Sequence, residues 1–468
     1  MNTSSSHMAI IKSPYRNIWK LSWPQVVMMF FHFAIGFVDV WVAGRLGRNV
    51  QACMGIITQA QFFFLVVAMA FANGSVAAIS QSAGAGLFRR VQRYVGLGLE
   101  AGAVLGIVLF VGGLAARPLL FGVLQIPAGV EDVARYLFNV YLFILPAYYL
   151  FIISNAIFRA RKQVMCPLYS IILVTTVNTL GDLGFGLGYF GLPNLGYKGL
   201  AWATFASVLM GTLFNLLVLA RTGALARKSF APWKWVRCAL PYLFKVAWPA
   251  GLMQLIWHSA YLLLFSITAS LPSGEVVALA GMSAGLRVES LFFLPGFAFN
   301  FTAAILVGHY LGAGEPQEAK RFGYRILGLG LVVVSVVTAL AWTWLDDIAL
   351  FVAPDPAVHA VAVSYLYYNL AALPFVVVSM VLGGALSGAG ATMYQMGVTG
   401  TSSWLIRLPL AWYLGHVFFA DAEGIWIAMF ISMVIQSMAM LAVYQFAPWQ
   451  RFAMRGSTRK KTTGNPVH

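Results

Sequence analysis

The chain has 468 residues and a formal net charge of +16, and 60% of its residues are hydrophobic while only 9% are charged. A single soluble domain of this composition would lack the polar side chains needed to cover its surface, which excludes an ordinary soluble protein. The positive charge could indicate a nucleic-acid partner. However, the basic residues concentrate in the segments on one side of the expected membrane, as is typical of membrane proteins, so we expect no nucleic-acid partner.

Twelve apolar runs follow one another along the chain, and each is long enough to cross about 30 Å of hydrocarbon as a helix that rises ~1.5 Å per residue. They lie at residues 19–42, 52–78, 93–116, 134–158, 166–189, 196–220, 241–269, 278–307, 324–344, 360–386, 394–418 and 424–446. The runs show neither the alternation nor the short spacing of barrel strands, so helices remain as the spanning structure. The sequence therefore predicts an all-α polytopic membrane protein with twelve transmembrane helices in the lipid bilayer.

The basic residues indicate the orientation of these helices. Of the 30 Lys and Arg residues, 23 fall in segments on one side, and five fall on the other, namely Arg45, Arg48, Arg117, Arg135 and Lys198. Basic segments favour the cytoplasmic side, so we expect an inner (plasma) membrane protein with both termini in the cytoplasm.

Three pairs of similar segments indicate that the second half of the chain repeats the first. They are LSWPQVVMMF from Leu21 with VAWPAGLMQL from Val246, SAGAG ending at Gly86 with YLGAG ending at Gly314, and KGLAWATFAS from Lys198 with EGIWIAMFIS from Glu423. Nearly constant offsets predict two pseudo-symmetric six-helix lobes around a central cleft that holds the substrate. We assign residues 1–220 to the N-lobe, 221–245 to a cytoplasmic linker, 246–446 to the C-lobe and 447–468 to a basic cytoplasmic tail.

In the first half, polar side chains interrupt the apolar runs at a similar depth. Asp39 lies about three residues from the outer end of the first run, and Asp182 about seven from the outer end of the fifth, so helical rise places both within roughly 10 Å of the outer boundary. Asn178 lies one helical turn from Asp182 on the same face. Thr204, in the sixth run, reaches a similar depth, so we expect these four side chains to form one group.

Two neighbouring carboxylates in a medium of low dielectric cannot both ionise cheaply, so a proton or a sodium ion is expected between them. Carboxylate, amide and hydroxyl oxygens are hard ligands that suit these cations. The alternative is a hydrogen-bonded polar plug between helices, which Asn178 and Thr204 in particular could provide. Pro24 is expected to let the first helix bend.

The second half is predicted to lack this polar group, since the repeat places Leu264, about Leu410 and Met429 at the positions of Asp39, Asp182 and Thr204. Its remaining polar candidates are Arg287, Glu289 and His258. The first two are two residues apart and so point to different faces, which favours bonds across helices or exposure to the cavity. His258 is expected to hydrogen-bond a neighbouring helix, with a role in the cavity as the alternative.

Several segments together resemble the multidrug and toxic compound extrusion (MATE) transporters. They are SWP from Ser22, DVWVAGRLG from Asp39, SQSAGAG from Ser80, NTLGD from Asn178, GYKGLAWAT from Gly196 and LVGHYLGAG from Leu306. The resemblance implies two six-helix lobes, cation-driven antiport, and export of cationic or amphipathic organic compounds. It also implies that Asp39, Asn178, Asp182 and Thr204 form the cation cluster, with Tyr136 as a weaker fifth member.

The chain departs from the sodium-coupled branch of that family, which carries a glutamate in span 7 and an aspartate in span 10. Trp257 and His258 stand near the first position, and span 10 has no acid. Coupling is therefore expected in the N-lobe, by H+ or Na+. We expect a monomeric secondary transporter of small organic molecules, not an enzyme, with no cofactor besides the coupling ion; the alternative is a lipid-linked oligosaccharide flippase.

Overall fold

The structure is a computed structural model that describes residues 13–124 and 128–454. The first half of the chain folds into the helices α1 (Pro14–Leu46), α2 (Arg48–Gly84), α3 (Phe88–Leu124), α4 (Glu131–Ala160), α5 (Met165–Gly181, continued by the π-helical turn Asp182–Gly186) and α6 (Tyr197–Arg221). The apolar runs continue into polar flanks that remain helical, so several of these helices are longer than the runs that predict them. Pro24 lies inside α1 and is buried.

The second half repeats this order. It contains α7 (Trp233–Ala269), α8 (Glu275–Gly312), α9 (Pro316–Trp342), α10 (Pro356–Ala389), the helical run α11 (Thr392 to Phe418) and α12 (Ala422–Phe446). A short helix, Leu345–Val352, precedes α10, and a single turn, Trp449–Phe452, follows α12. Because α7 already begins at Trp233, the connection between the lobes is shorter than the linker predicted at 221–245. Most of the predicted basic tail, from residue 455 on, lies outside the described residues.

The helical run α11 is not uniform. It consists of Thr392–Gly400, a wider π-helical stretch Thr401–Arg407, the segment Leu408–Trp412 and a second π-helical stretch Tyr413–Phe418. Pro409 lies between the wider stretches, and its missing N–H interrupts the regular hydrogen-bond ladder. Within the described residues, eleven other helices are long and apolar enough to cross a membrane. Together with α11 they give the predicted twelve spans.

The apolar side chains form a separate core in each half. One core runs from Met28 to Val208, and another is built almost entirely from residues between Ala260 and Trp449. A third, smaller core mixes residues of both halves, such as Phe158, Leu243 and Ile305. Each lobe is thus packed on its own, and the lobes meet where the third core lies.

Glycines allow α2 and α8 to touch where the lobes meet. A Cβ atom on Gly84 would overlap the backbone carbonyl of His309, and one on Gly312 would overlap that of Gln81. The Gln81 amide also donates to the carbonyl of Gly388 at 2.8 Å, and its oxygen accepts from the Met454 N–H at 2.7 Å. The lobes are therefore joined backbone to backbone at the end of the bundle that the basic residues assign to the cytoplasm.

Candidate functional site

Three helices bring the four predicted N-lobe side chains together. The Asp39 carboxyl on α1 lies within hydrogen-bonding reach of both the Asp182 carboxyl and the Asn178 side chain. The Asn178 amide points to the Thr204 hydroxyl of α6, with 3.5 Å between Nδ2 and Oγ1. Asp182 and Asn178 are fully buried, and Thr204 is 8% exposed. We call Asp39, Asn178, Asp182 and Thr204 the N-lobe site.

Four carboxyl and amide oxygens of the N-lobe site lack hydrogen-bond donors. Oδ1 of Asp39, both carboxylate oxygens of Asp182 and Oδ1 of Asn178 are buried without a partner. Buried acceptors are almost always satisfied in folded proteins. Two carboxyls in contact form a hydrogen bond only when one of them carries a proton, and otherwise their oxygens need a cation. The residues therefore fit a proton or a small hard cation such as Na+.

Close packing of α5 against α6 fixes the geometry of the N-lobe site. A Cβ atom on Gly181 would lie only 2.7 Å from that of Ala203, so glycine is what allows the two helices to approach. This approach brings Thr204, the residue after Ala203, beside Asn178. The next stretch of α5, Asp182–Gly186, widens into a π-helical turn that begins at the carboxylate itself.

A tyrosine that the sequence reasoning missed completes the N-lobe site. The Tyr141 hydroxyl on α4 reaches the Thr204 side chain and faces both Asp39 and Asp182. Tyr148 follows two helical turns later and is within electrostatic range of Asp39. A spacing of seven residues places both tyrosines on one face of α4, which is the sequence signal that could have identified them.

Tyr136, the tyrosine suggested by the family resemblance, lies in a different setting on α4. Its hydroxyl accepts a hydrogen bond from the Trp202 indole at 2.9 Å. Its ring packs edge-on against Tyr197, and the Lys198 ammonium lies 5.4 Å from the ring centroid. The α4 tyrosine that reaches the Thr204 hydroxyl is Tyr141.

Comparison with known proteins gives this arrangement a family. The family model MatE matches residues 24–183 and again residues 249–413, once in each lobe. The chain belongs to the MatE family. This confirms the predicted membership of the MATE transporters, and a family of transporters agrees with the expectation that the chain is not an enzyme.

Individual MATE relatives match over nearly the whole chain. The probable multidrug resistance protein NorM of Thermotoga maritima is 23% identical over 96% of this chain and 96% of its own length. The multidrug resistance protein PmpM of Pseudomonas aeruginosa is 26% identical, with 86% of this chain and 85% of its own length covered. An aspartate-to-asparagine variant of the Vibrio cholerae MATE transporter VcmN superposes with a TM-score of 0.85 at 18% identity, covering 95% of this chain and 98% of its own. These matches confirm the fold, a multi-pass helical membrane protein.

The prediction that only the first lobe of this MATE protein carries a buried polar group is wrong. Five helices of the second lobe each contribute one side chain to such a group, which we call the C-lobe group: Tyr261, Glu289, Tyr365, Arg407 and Ser432. Glu289 is fully buried and accepts a hydrogen bond from the Tyr365 hydroxyl at 2.5 Å. Arg407 is 3% exposed and donates from Nε to the Ser432 hydroxyl at 2.9 Å.

A displacement of one helical turn explains why the repeat did not reveal the C-lobe group. The counterparts Leu264, Leu410 and Met429 are indeed apolar. Tyr261, Arg407 and Ser432 each lie three residues from one of these positions, always away from the loops that join α7 to α8 and α11 to α12. Three residues correspond to about 4.5 Å along a helix axis. The second group therefore lies one turn deeper than the N-lobe site.

The other two polar candidates of the C-lobe lie apart from this group. Arg287 is exposed, in contrast to buried Glu289 on the same helix, as their spacing predicts. The His258 Nε2 atom lies 3.1 Å from Oε1 of Gln59, and the imidazole stacks on Phe62 at 4.4 Å. Gln59 and Phe62 belong to α2, so His258 bonds across the two lobes, as the interhelical interpretation expects.

Proposed function

We propose that this MATE protein is a secondary antiporter in which H+ or Na+ binding at the N-lobe site drives the export of amphipathic or cationic organic compounds. The observation that carries the proposal is the contact of two carboxyls, Asp39 and Asp182, one of them fully buried with both oxygens unpartnered. A pair with this surplus of negative charge is stable in the membrane only while a cation neutralises part of it.

Each residue of the N-lobe site has a chemical part in this proposal. Asp39 and Asp182 take up the ion between their carboxyls, and the Asn178 carbonyl and Thr204 hydroxyl supply further oxygens. Filling or emptying the site changes the repulsion between α1 and α5, which biases the lobe between two shapes. The π-helical turn at Asp182–Gly186 gives α5 a place to adjust, since such turns are easily remodelled.

The driving force is sufficient for uphill export. One charge that crosses a membrane potential of ~150 mV supplies about 3.5 kcal/mol, which supports roughly a 300-fold concentration ratio of substrate. The proposed orientation has both termini in the cytoplasm of the inner membrane, so that the N-lobe site faces the outer side, from which the ion enters. The multidrug resistance relatives NorM and PmpM support organic compounds as substrates.

The coupling ion is tested by dye export from proteoliposomes of the purified protein under separately imposed pH and sodium gradients. Export that responds to one gradient identifies the ion. Export that responds to neither contradicts the proposed antiport. In that case, transfer of a fluorescent lipid-linked oligosaccharide between leaflets would test the flippase alternative in the same vesicles.

Replacement of Asp39 by Asn tests the proposed coupling residue. Asp39→Asn removes one of two adjacent negative charges with little change in volume, so we expect normal folding and loss of gradient-driven export. Asp132→Asn is the matched control, because Asp132 is an exposed acid in the first turn of α4. Full gradient-driven export in the Asp39 variant would reject the coupling role.

A further inference from the structure

The C-lobe group differs from the N-lobe site in its charge. The N-lobe site contains two carboxyls that face each other, with amide and hydroxyl groups around them. The C-lobe group contains a single carboxylate, Glu289, together with a guanidinium, Arg407, in the same buried interior. The first arrangement has an excess of negative charge, and the second is neutral when both groups are ionised.

Arg407 is held in the protein interior by contacts on two sides. Its Nε donates to Ser432 of α12, and its Cζ lies 5.7 Å from the ring centroid of Tyr261 on α7. Its Nη1 atom is buried without a hydrogen-bond partner. A buried guanidinium is unfavourable unless a negative charge compensates it, so this side chain needs a carboxylate nearby.

Glu289 has the complementary arrangement. Its Oε2 accepts from Tyr365 of α10, while Oε1 is buried without a partner. Tyr261 neighbours both charges, since the Arg407 guanidinium lies 5.7 Å from its ring centroid and the Glu289 carboxylate is within electrostatic range of its hydroxyl. The two charged groups are not in direct ion-pair contact, but in a medium of low dielectric they still attract each other over a longer distance.

We propose that the C-lobe group is a cation site filled by the protein's own guanidinium, so that Arg407 stands where an external Na+ or H+ would otherwise be required. This inference rests on the proposed function in one respect, because it confines ion coupling to the N-lobe site. It also identifies Arg407 as a positioning residue that sets the ion requirement of the transporter. Removal of its charge should convert Glu289 into a site that binds an external cation.

The test uses purified full-length protein in which Asp39→Asn and Asp182→Asn silence the N-lobe site. Thermal unfolding is followed in NaCl against equimolar choline chloride, and in a pH series. In the protein that carries these two substitutions, we expect no change of Tm with NaCl or with pH that depends on Glu289. Addition of Arg407→Met should create such a response, with Tm rising by about 1–2 °C for each tenfold increase in NaCl above the dissociation constant, or with a comparable stabilisation at acidic pH.

Two further variants assign this response to its residues. Arg407→Lys keeps a positive charge and should leave the response absent, and Glu289→Gln added to Arg407→Met should abolish it. The inference is overturned if Arg407→Met gains no ion response, or if the response survives the loss of Glu289. Because the readout is ion binding without the N-lobe acids, failure of the proposed antiport would leave this result unchanged.

A stability comparison decides the matter if Arg407→Met cannot be purified while Glu289 is present. Glu289→Gln alone leaves the guanidinium uncompensated, so it should unfold at a lower temperature than Glu289→Gln combined with Arg407→Met. The reverse order would show that the two charges do not compensate each other.

Discussion

The Tyr141 hydroxyl lies beside the N-lobe site and is placed to affect the proposed ion binding. Besides reaching Thr204, it lies 3.4 Å from the Met54 sulfur, so its orientation is fixed by packing on α2. A hydroxyl beside an ion site can donate to a carboxylate or turn its oxygen towards a cation. Its loss should therefore weaken ion binding without emptying the site.

Substitution of Tyr141 by Phe should raise the H+ or Na+ concentration needed for half-maximal export by about 3- to 10-fold, the effect of one lost hydrogen bond. Tyr136→Phe is the matched control on the same helix, because its hydroxyl bonds Trp202 instead. Export at graded ion concentrations measures both. An equal change in the two variants would show that Tyr141 acts through general packing.

The residues of the two polar groups were not equally predictable. Asp39 and Asp182 were found because an acid in an apolar run is costly and therefore conspicuous. Tyr141 and Tyr365 were not, since tyrosine is an ordinary residue in membrane helices, and only the three-dimensional contact gives it a role. Arg407 and Glu289 lie on different helices and more than a hundred residues apart, so the sequence does not show that they belong to one group.

At the scale of helices, α5 and α11 occupy corresponding places in the repeat and share a departure from regular geometry. Asp182 begins a π-helical stretch in α5, and Arg407 ends one in α11. A charged side chain of each polar group therefore lies at one end of a stretch with wider helical geometry.

The contact between α2 and α8 should hold the protein in the described arrangement. Gly84→Ala would drive a Cβ atom into the His309 carbonyl, so the two helices must separate at that end. Spin labels at exposed Arg89 and Gln317 should then report a larger distance in a substantial fraction of molecules. Gly55→Ala is the control on the same helix, since its Cβ meets nothing within 4 Å. Unchanged distances in the Gly84 variant would show that α2 yields locally.

At the scale of the whole molecule, the sequence predicted the class, the number of spans and the two lobes, because apolar length and repetition are properties of the chain alone. The ends of the helices were harder to predict from the sequence. The first residues of α7, from Trp233, are polar, and the sequence therefore predicts a linker there. In the structure, Val236 and Ala239 of this segment pack into the core shared by the lobes. Tertiary packing, which the sequence does not display, decides such boundaries.

The predicted orientation can be tested with a native side chain. Cys238 lies near the start of α7 and is exposed, while Cys53 is buried. If the basic end of the bundle faces the cytoplasm, a membrane-impermeant maleimide should label Cys238 in inside-out vesicles and leave it unlabelled in intact cells. A Cys238→Ser variant controls for reaction at Cys166. Labelling in intact cells would reverse the assigned orientation.

The bond from the Met454 N–H to Gln81 fastens the end of the C-lobe to a helix of the N-lobe. The Arg90 guanidinium also contacts the Met454 sulfur, at 2.5 Å. Any rearrangement that parts the lobes at this end must break the backbone bond and release that amide to water. The rate of deuterium uptake at the Met454 amide should then report how often the two lobes separate at the end assigned to the cytoplasm.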